Sequence, residues 1–244
     1  MAAAAPLQAP RANGVAVVIP TFNEAESIAA VIAALPRDLV DTVIVADGGS
    51  ADGTPDLARG AGAEVIVVGR GYGLACLVGA QAAENADIVV FMDGDGADDP
   101  GAIAAMVAAV RAGDYDFVIA SRARGEREPG SMASHQIVAG LIAGWLTEKL
   151  YGVRYTDMCA FRAIRRDTLL ALGMRELTYG WNLEMQMRVA RGGLRVLELP
   201  VAYRRRLGGE SKVAGSLRGS LKAGVKIVST FARIAIEPAR QRAV

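Results

Sequence analysis

The sequence contains few cysteine, histidine or aromatic residues. Two cysteines and one histidine occur among 244 residues, and Phe, Trp and Tyr together make up 5% of the chain. The two cysteines, Cys76 and Cys159, provide no disulfide framework, which is typical of a protein in a reducing compartment. The histidine, His135, has no second histidine or cysteine at metal-ligand spacing, so we interpret it as structural. These scarcities argue against a disulfide-bonded scaffold.

The sequence also lacks an excess of charge and a long apolar run. The 27 basic and 26 acidic residues leave a net charge of +1, so charge gives no reason to expect a nucleic-acid partner. The longest apolar stretch, Ile137–Leu146, is well short of the roughly 20 residues that span a bilayer. The Ala/Pro-rich start lacks the features of a signal peptide. We therefore expect a soluble or membrane-surface protein in the cytoplasm.

Hydrophobic residues are abundant, at 52% of the chain, which is enough to form the core of one large domain. Between residues 14 and 113, short β-branched runs alternate with alanine-rich helical patterns. This alternation predicts a parallel sheet that is covered by helices on both faces. A fifth strand is predicted from Tyr115, and helices are predicted at 134–151 and 215–236. The fold class is therefore α/β.

An acid-rich segment, DGDGADD, follows the fourth predicted strand. Asp93 and Asp95 lie two residues apart, so in an extended turn both carboxylates can reach one hard cation such as Mg²⁺ or Mn²⁺. A calcium EF-hand loop is excluded because Ala97 and Ala104 occupy positions that would have to bind the ion. Asp99, which precedes a proline, is interpreted as a helix N-cap.

Three other strand ends are polar or rich in glycine, and ligands bind beyond the carboxyl ends of strands in such sheets. The segment GRGYG lacks the G-x-G-x-x-G spacing of a Rossmann dehydrogenase, so it is either a tight turn or a loop in which Arg70 meets phosphate. After the first strand, Asn23 and Glu26 have the spacing of a capping box. After the second strand, Asp47 is placed to accept a hydrogen bond from a base or a ribose.

Two basic segments follow the fifth strand, SRARGER and YRRRLGGESK. Arginine forks suit the oxygens of phosphate groups, because they donate two parallel hydrogen bonds. Either segment alone could be a solvated loop. Both together, in a chain that also carries a metal-binding acid pair, indicate a phosphorylated ligand.

The motifs IPTFNE, DGGSxDGT, D-x-D and R…GGESK occur in this order, and together they resemble the inverting glycosyltransferases of family 2, in particular the polyprenyl-phosphate (dolichol-phosphate mannose synthase-like) branch. The resemblance covers residues 14 to 212 and implies a GT-A fold with a mostly parallel central sheet flanked by helices. The implied division is a flexible tail 1–13, a catalytic domain 14–212 with a nucleotide-binding half 14–113 and an acceptor half 114–212, and a basic amphipathic helix in 213–244.

The resemblance also implies a role for individual residues. The metal ligands are Asp93 and Asp95. The residues that hold the nucleotide sugar are Pro20, Thr21, Glu24, Asp47, Arg70 and Asp93. The residues that bind the acceptor phosphate are Arg122, Arg127, Arg205, Arg206, Ser211 and Lys212. The implied cofactor is a divalent cation, Mg²⁺ or Mn²⁺, that assists departure of the nucleoside diphosphate.

Two carboxylates are candidates for a catalytic base. Asp157 matches an acid proposed near the anomeric carbon in the resembled branch, and Glu184 lies where other family members carry their base. We prefer Asp157, because Glu184 can also anchor its helix through Arg188. A lipid phosphate is already anionic near neutral pH and needs little help from a base, whereas a sugar hydroxyl needs a carboxylate within reach.

The tail helix sets apolar Leu217, Leu221, Val225 and Val228 beside a basic stripe. It either lies on an anionic membrane surface or docks on its own domain. We expect transfer of a hexose from a UDP- or GDP-sugar to a polyprenyl phosphate at the inner face of the membrane. The alternatives are a soluble sugar or small-molecule acceptor, a nucleotidyltransferase, and a non-catalytic nucleotide-binding module.

Overall fold

The computed structural model describes residues 14–208 and 217–237. In this part of the chain, one sheet contains β1 (Val15–Thr21), β2 (Thr42–Asp47), β3 (Glu64–Val67), β4 (Ile88–Phe91), β5 (Phe117–Ser121), β6 (Arg162–Arg165) and β7 (Val196–Pro200). The strands lie in the order β3-β2-β1-β4-β6-β5-β7. Only β6 is antiparallel to its neighbours, β4 and β5. The predicted, mostly parallel α/β sheet is confirmed.

The helices are α1 (Ile28–Ala33), α2 (Thr54–Gly60), α3 (Tyr72–Ala82), α4 (Ile103–Arg111), α5 (Ser134–Tyr151), α6 (Arg166–Ala171), α7 (Trp181–Arg191) and α8 (Leu217–Ile236). The prediction for α5 is confirmed at both ends, and that for α8 at its C-terminal end. Asp99 caps the short 3₁₀ turn before α4 by accepting a hydrogen bond from the Gly101 N–H at 3.2 Å, as predicted.

The central strands are buried because helices cover both faces of the sheet. Every residue of β1 is buried, and so is every residue of β4 and β5. Their Val, Ile and Phe side chains suit a pleated surface that has no solvent face. On α3, any side chain at Gly79 would collide with Val18 of β1, so glycine allows this helix to approach the sheet closely.

One strand was not predicted, and one local prediction is wrong. The four residues of β6 were not predicted as a strand, because a short segment with arginine at both ends has no recognisable strand period. The capping box is also not formed: α1 begins at Ile28, after Ser27. Asn23 instead has φ 53°, and its side chain accepts a hydrogen bond from the Ala51 N–H at 3.1 Å. Asn23 therefore joins the ends of β1 and β2.

The C-terminal part of α8 docks on its own domain. Thr230 and Ile234 are buried, and Arg233 forms an ion pair with the buried Glu184 of α7 at 3.1 Å. Among the helices of the described residues, none is long and apolar enough to cross a membrane.

Candidate active site

A cleft of about 550 Å³ opens at the carboxyl ends of β1, β2 and β4. It is lined by Pro20, Thr21, Phe22, Glu24, Gly48, Arg70, Gly71, Tyr72, Ala75, Asp93, Gly94, Asp95, Thr178, Tyr179 and Arg206. The cleft therefore brings together seven of the predicted site residues from four separate loops, because parallel strands end at the same edge of a sheet.

An arginine neutralises the second acid of the D-x-D pair. The Asp95 side chain is nearly inaccessible, and its Oδ2 lies 2.8 Å from Arg206 Nη2. Its Oδ1 accepts a hydrogen bond from the Ala97 N–H at 2.9 Å. The backbone around Arg206 is fastened to the same loop, since the Leu207 N–H donates to the Asp95 carbonyl at 2.9 Å. Arg206 thus occupies a fixed position over the acidic loop.

Two further acids of this loop, Asp93 and Asp98, lie where their ionised forms are unfavourable. Burial, followed by the charge of Asp95, raises the pKa of Asp93 to about 6, although Arg122 and Arg206 oppose the shift. Burial and the two neighbouring carboxylates also raise the pKa of Asp98 well above its usual value. Tyr72 Oη donates a hydrogen bond to Asp93 Oδ1 at 3.3 Å. The cluster of Asp93, Asp95 and Asp98 therefore carries more negative charge than its surroundings balance.

The chemistry of this cluster fits a divalent cation that is shared with a bound phosphate group. Within the described residues, no group of three or more His, Cys, Asp and Glu side chains is arranged to hold a metal ion alone. Mg²⁺ commonly takes one or two carboxylates and fills its remaining positions with water and substrate phosphates. Arg206 Nη1 is buried and has no hydrogen-bond partner among the described residues, so it also offers a donor to an anion.

Asp47 shapes the cleft from beneath and does not line it. Its carboxylate is fully buried and accepts hydrogen bonds from the backbone N–H groups of Gly49 and Ser50 at 2.9 and 2.8 Å. The hydroxyls of Thr21 and Ser50 also donate to it, at 3.1 and 2.5 Å. These contacts tie the end of β1 to the turn after β2. A direct contact with a nucleotide remains a prediction.

The glycines of GRGYG allow a second loop to approach the cleft. A side chain at Gly73 would collide with the Glu176 carbonyl, and one at Gly71 would lie 2.7 Å from the Leu177 carbonyl oxygen. The Leu74 N–H donates to that same oxygen at 3.0 Å. Arg70 lies over the ring of Phe22, 4.4 Å from its centroid. The segment is a close-packed turn that presents a cation to the cleft.

Asp157 and Arg122 form a buried pair after β5. Arg122 Nε and Nη2 donate to the two carboxylate oxygens at 2.8 and 2.7 Å, and the Arg122 backbone N–H donates to Oδ2 at 2.9 Å. Arg122 also lies over the ring of Tyr203, 4.9 Å from its centroid. Both oxygens of Asp157 are therefore engaged, so this geometry makes it a partner of Arg122 more readily than a base.

Glu184 does not reach the cleft. It is fully buried, and its Oε2 accepts hydrogen bonds from the backbone N–H groups of Arg175 and Glu176 at 2.9 and 2.6 Å. Its Oε1 accepts from Arg188 Nε at 2.9 Å and pairs with Arg233. The structure favours the anchoring role that the sequence offered as the alternative to a catalytic base.

The other basic residues that we predicted as phosphate ligands do not lie together. Arg205 lies outside the cleft, where its Nε donates to the Pro129 carbonyl at 2.8 Å. Arg127 is exposed and pairs through its backbone with Tyr203. Ser211 and Lys212 lie outside the described residues. Of the late arginines that we predicted as phosphate ligands, Arg206 is the one that lines the cleft.

The model of the glycosyl transferase family 2 domain matches residues 16–173. The chain belongs to glycosyl transferase family 2. The predicted family is thereby confirmed, and the match covers the strands whose ends form the cleft.

Relatives of this family 2 enzyme extend the likeness along most of the chain. An uncharacterised glycosyltransferase of Mycobacterium tuberculosis is 38% identical over 213 residues, which cover 86% of this chain and 94% of the relative. An undecaprenyl-phosphate mannosyltransferase of Micrococcus luteus is 35% identical, with 83% and 88% covered. A polyprenol monophosphomannose synthase of Mycolicibacterium smegmatis is 29% identical, with 82% and 81% covered. These relatives support the predicted polyprenyl-phosphate branch.

Solved structures confirm the GT-A fold. A crystal structure of glucosyl-3-phosphoglycerate synthase from Mycobacterium tuberculosis, in complex with Mn²⁺, UDP and glucosyl-3-phosphoglycerate, matches with a TM-score of 0.70 at 22% identity. The match covers 93% of this chain and 81% of that chain. A second complex of that enzyme, with Mn²⁺, UDP-glucose and phosphoglyceric acid, has a TM-score of 0.71 at 23% identity.

Several residues of the candidate site were not predicted. Tyr72, Thr178 and Tyr179 line the cleft, and the aromatic residue within GRGYG was the available signal for the first of them. Glu198 of β7 accepts hydrogen bonds from the Thr156 N–H at 2.6 Å and the Asp157 N–H at 3.3 Å. No local pattern marks Glu198, because its partners lie about forty positions away in sequence.

Proposed function

We propose that this chain transfers a hexose, with inversion, from a nucleotide-diphosphate sugar to a polyprenyl phosphate. The observation that carries the proposal is the placement of Asp93 and Asp95 with Arg206 in the cleft. An excess of carboxylates favours a cation, and an arginine with a donor that lacks a partner favours an anion. A nucleoside diphosphate with its divalent cation meets both demands.

The donor would lie along the ends of β1, β2 and β4. Thr21, whose hydroxyl donates to Asp47, lines the cleft with Glu24 and Arg70, and the nucleoside would bind beside these residues. Asp93 and Asp95 would hold the cation. When bound, a divalent cation neutralises the charge that develops on the departing nucleoside diphosphate. In support, the structural neighbour glucosyl-3-phosphoglycerate synthase binds Mn²⁺ and UDP-glucose.

The acceptor would approach from the side of Arg122. One phosphate oxygen attacks the anomeric carbon, and the new carbon–oxygen bond forms on the face opposite the diphosphate. The bond between the anomeric carbon and the diphosphate oxygen breaks, and its electron pair stays on the departing nucleoside diphosphate. No proton is removed from an anionic phosphate, so this reaction requires no general base. We assign to Asp157 the role of a positioning residue, since it holds the Arg122 guanidinium through two hydrogen bonds. The names of the Micrococcus and Mycolicibacterium relatives support this acceptor.

A second candidate is the same transfer to a small phosphorylated acceptor. It is favoured by the neighbouring crystal structures, in which the synthase binds phosphoglyceric acid. Both acceptors present an anionic phosphate group, so both suit the arginines after β5 and β7.

A substrate screen tests the proposal. The purified full-length chain is incubated with UDP- and GDP-sugars, with Mn²⁺, Mg²⁺ or EDTA, and with a polyprenyl phosphate or phosphoglyceric acid. We expect nucleoside diphosphate release that needs the cation and the polyprenyl phosphate, and a glycosylated lipid of inverted configuration. Release that depends on phosphoglyceric acid decides for the second candidate, and release that EDTA leaves unchanged contradicts the role of the cation.

A further inference from the structure

Helix α5 exposes a row of large apolar side chains to solvent. Val138, Leu141, Ile142 and Trp145 are 53%, 44%, 54% and 48% exposed. Their spacing places them on one side of the helix, and residues 137–147 contain no charged side chain. A surface helix normally carries polar residues on its solvent side, so this row, which we call the α5 stripe, calls for a partner.

The α5 stripe is not a displaced part of the core, because another face of the helix already packs inward. Gly140, Ala143, Gly144 and Thr147 are buried. A side chain at Gly144 would collide with the Tyr155 carbonyl, and one at Gly140 would lie 3.4 Å from Asp157 Cα. The small residues thus seat α5 directly on the segment that carries the Asp157–Arg122 pair, and the large residues remain outside.

We propose that the α5 stripe docks on an anionic lipid bilayer and so presents the acceptor side of the cleft to the membrane. The inference rests on the proposed function, since a polyprenyl phosphate carries its phosphate at the membrane surface. Helices that lie in the interface bury their apolar side chains about 5–10 Å deep, and tryptophan is enriched at this level. The exposed cation Lys149 lies in the last turn of the helix and suits anionic headgroups, while the charge of Arg154 is paired with Glu148 at 3.7 Å.

A second copy of the chain is a weaker candidate for the partner. A stable dimer buries about 800 Å² on each partner, and four half-exposed side chains on one helix supply only part of this area. Helix α8 lies beside α5, since Tyr151 Oη donates to the Ile234 carbonyl at 3.5 Å, and it exposes Val225 and Val228. Apolar groups on two neighbouring helices fit the extended surface of a bilayer.

The two tryptophans of the chain permit a direct test. Trp145 is 48% exposed on the stripe, whereas Trp181 is fully buried. Vesicles of brominated phosphatidylcholine with phosphatidylglycerol quench a tryptophan that enters the lipid. We expect quenching of the full-length chain and none in Trp145→Phe, in which Trp181 alone remains. An absence of quenching in the wild-type chain would overturn the proposal.

Paired substitutions locate the contact by vesicle co-sedimentation. Leu141→Ser with Ile142→Ser should weaken binding by about tenfold or more, because each removes an apolar side chain from the lipid contact. The control is Leu57→Ser with Val67→Ser, which changes side chains that are 44% and 61% exposed on α2 and β3. Equal loss in both pairs, or loss in neither, contradicts the proposal.

The outcomes separate this inference from the proposed function. The vesicles contain neither donor nor acceptor, so binding is measured without turnover, and the substrate screen on wild-type chain judges the reaction alone. Analytical ultracentrifugation identifies the rival partner. If the wild-type chain is a dimer that Leu141→Ser with Ile142→Ser converts to a monomer, and neither form binds vesicles, the stripe is an interface between copies and the proposal is wrong.

Discussion

Two clusters of acidic residues differ in how closely arginines balance them. After β4, the aspartate cluster of Asp93, Asp95 and Asp98 shares an ion pair with Arg206. Between α7 and α8, the glutamate cluster consists of Glu184 and Glu237. Its ion-pair partners are Arg175, Arg188, Arg191 and Arg233.

The pKa values of Asp93 and Glu237 are shifted in opposite directions. The pKa of Asp93 is raised to about 6 by burial and by Asp95. For Glu237, burial works against ionisation, but Arg188 and Arg233 lower the pKa below its usual value. Removing one partner from a balanced buried cluster is strongly destabilising, whereas an unbalanced cluster is a candidate place for a ligand of opposite charge. The glutamate cluster anchors α8, and binding of a ligand at the aspartate cluster is what the proposed function predicts.

The largest effect is expected from the aspartate cluster on catalysis. Asp95→Asn keeps an acceptor for the Ala97 N–H but removes the charge that the cation needs. We expect sugar transfer to fall by about a thousandfold, or ~4 kcal/mol of transition-state stabilisation, with little change in stability. The measurement is the release of nucleoside diphosphate at saturating Mn²⁺. Asp99→Asn, a change in the same loop at a residue that caps a turn, is the matched control and should retain activity.

The next largest effect is expected from the glutamate cluster on stability. Glu184→Ala leaves Arg188 and Arg233 without their buried partner and two backbone N–H groups without an acceptor. We expect the free energy of unfolding to fall by about 3–5 kcal/mol, measured by urea denaturation. Glu184→Gln should cost less, because the amide oxygen can still accept hydrogen bonds. If folded Glu184→Gln lost transfer as completely as Asp95→Asn, the glutamate would belong to catalysis.

The sequence predicts the aspartate cluster better than the glutamate cluster, because the end of a strand can be placed from sequence, whereas a side-chain pairing between distant segments cannot. Asp93 and Asp95 follow a buried strand directly, and the common edge of a parallel sheet brings Thr21 and Arg70 to them. Helix periods are also local, so both ends of α5 are predictable. By contrast, Glu184 meets Arg233 from 49 residues away, and Arg122 meets Asp157 from 35 residues away.

Replacement of Asp157 should have an effect of intermediate size on catalysis. Asp157→Asn keeps the shape but removes the charge that holds Arg122. We expect kcat/KM for the polyprenyl phosphate to fall about thirtyfold, or ~2 kcal/mol, mainly through KM. A base would instead show a lower kcat and a lost acidic limb of the pH–rate profile. Those two changes together would restore Asp157 as the catalytic base.

A smaller effect is expected on the stability of the metal-free protein, from a substitution in the aspartate cluster. The pKa of Asp93 rises from 3.8 to about 6 on folding, so its ionised form opposes folding. This penalty is absent below pH ~4, grows between pH ~4 and 6, and is complete above. Asp93→Asn should therefore stabilise the protein by about 1–2 kcal/mol at pH 7.5 in EDTA and lose this advantage at pH 4. Urea unfolding at both values measures it, and a constant advantage contradicts the charge imbalance.

The smallest expected effect is a change in stability from the glutamate cluster, opposite in sign to that of Asp93→Asn. Because the pKa of Glu237 is lowered from 4.5, its ionised form favours folding above that value, and the gain disappears as the pH falls through the lowered pKa. Glu237→Gln should cost at most about 1 kcal/mol at pH 7, since the side chain is partly exposed, and the cost should shrink as the pH falls below 4.5. High salt should reduce the cost, because it screens partly exposed ion pairs. At neutral pH, Asp93→Asn should therefore raise the free energy of unfolding and Glu237→Gln should lower it. Changes of equal sign would mean that arginines balance both clusters alike.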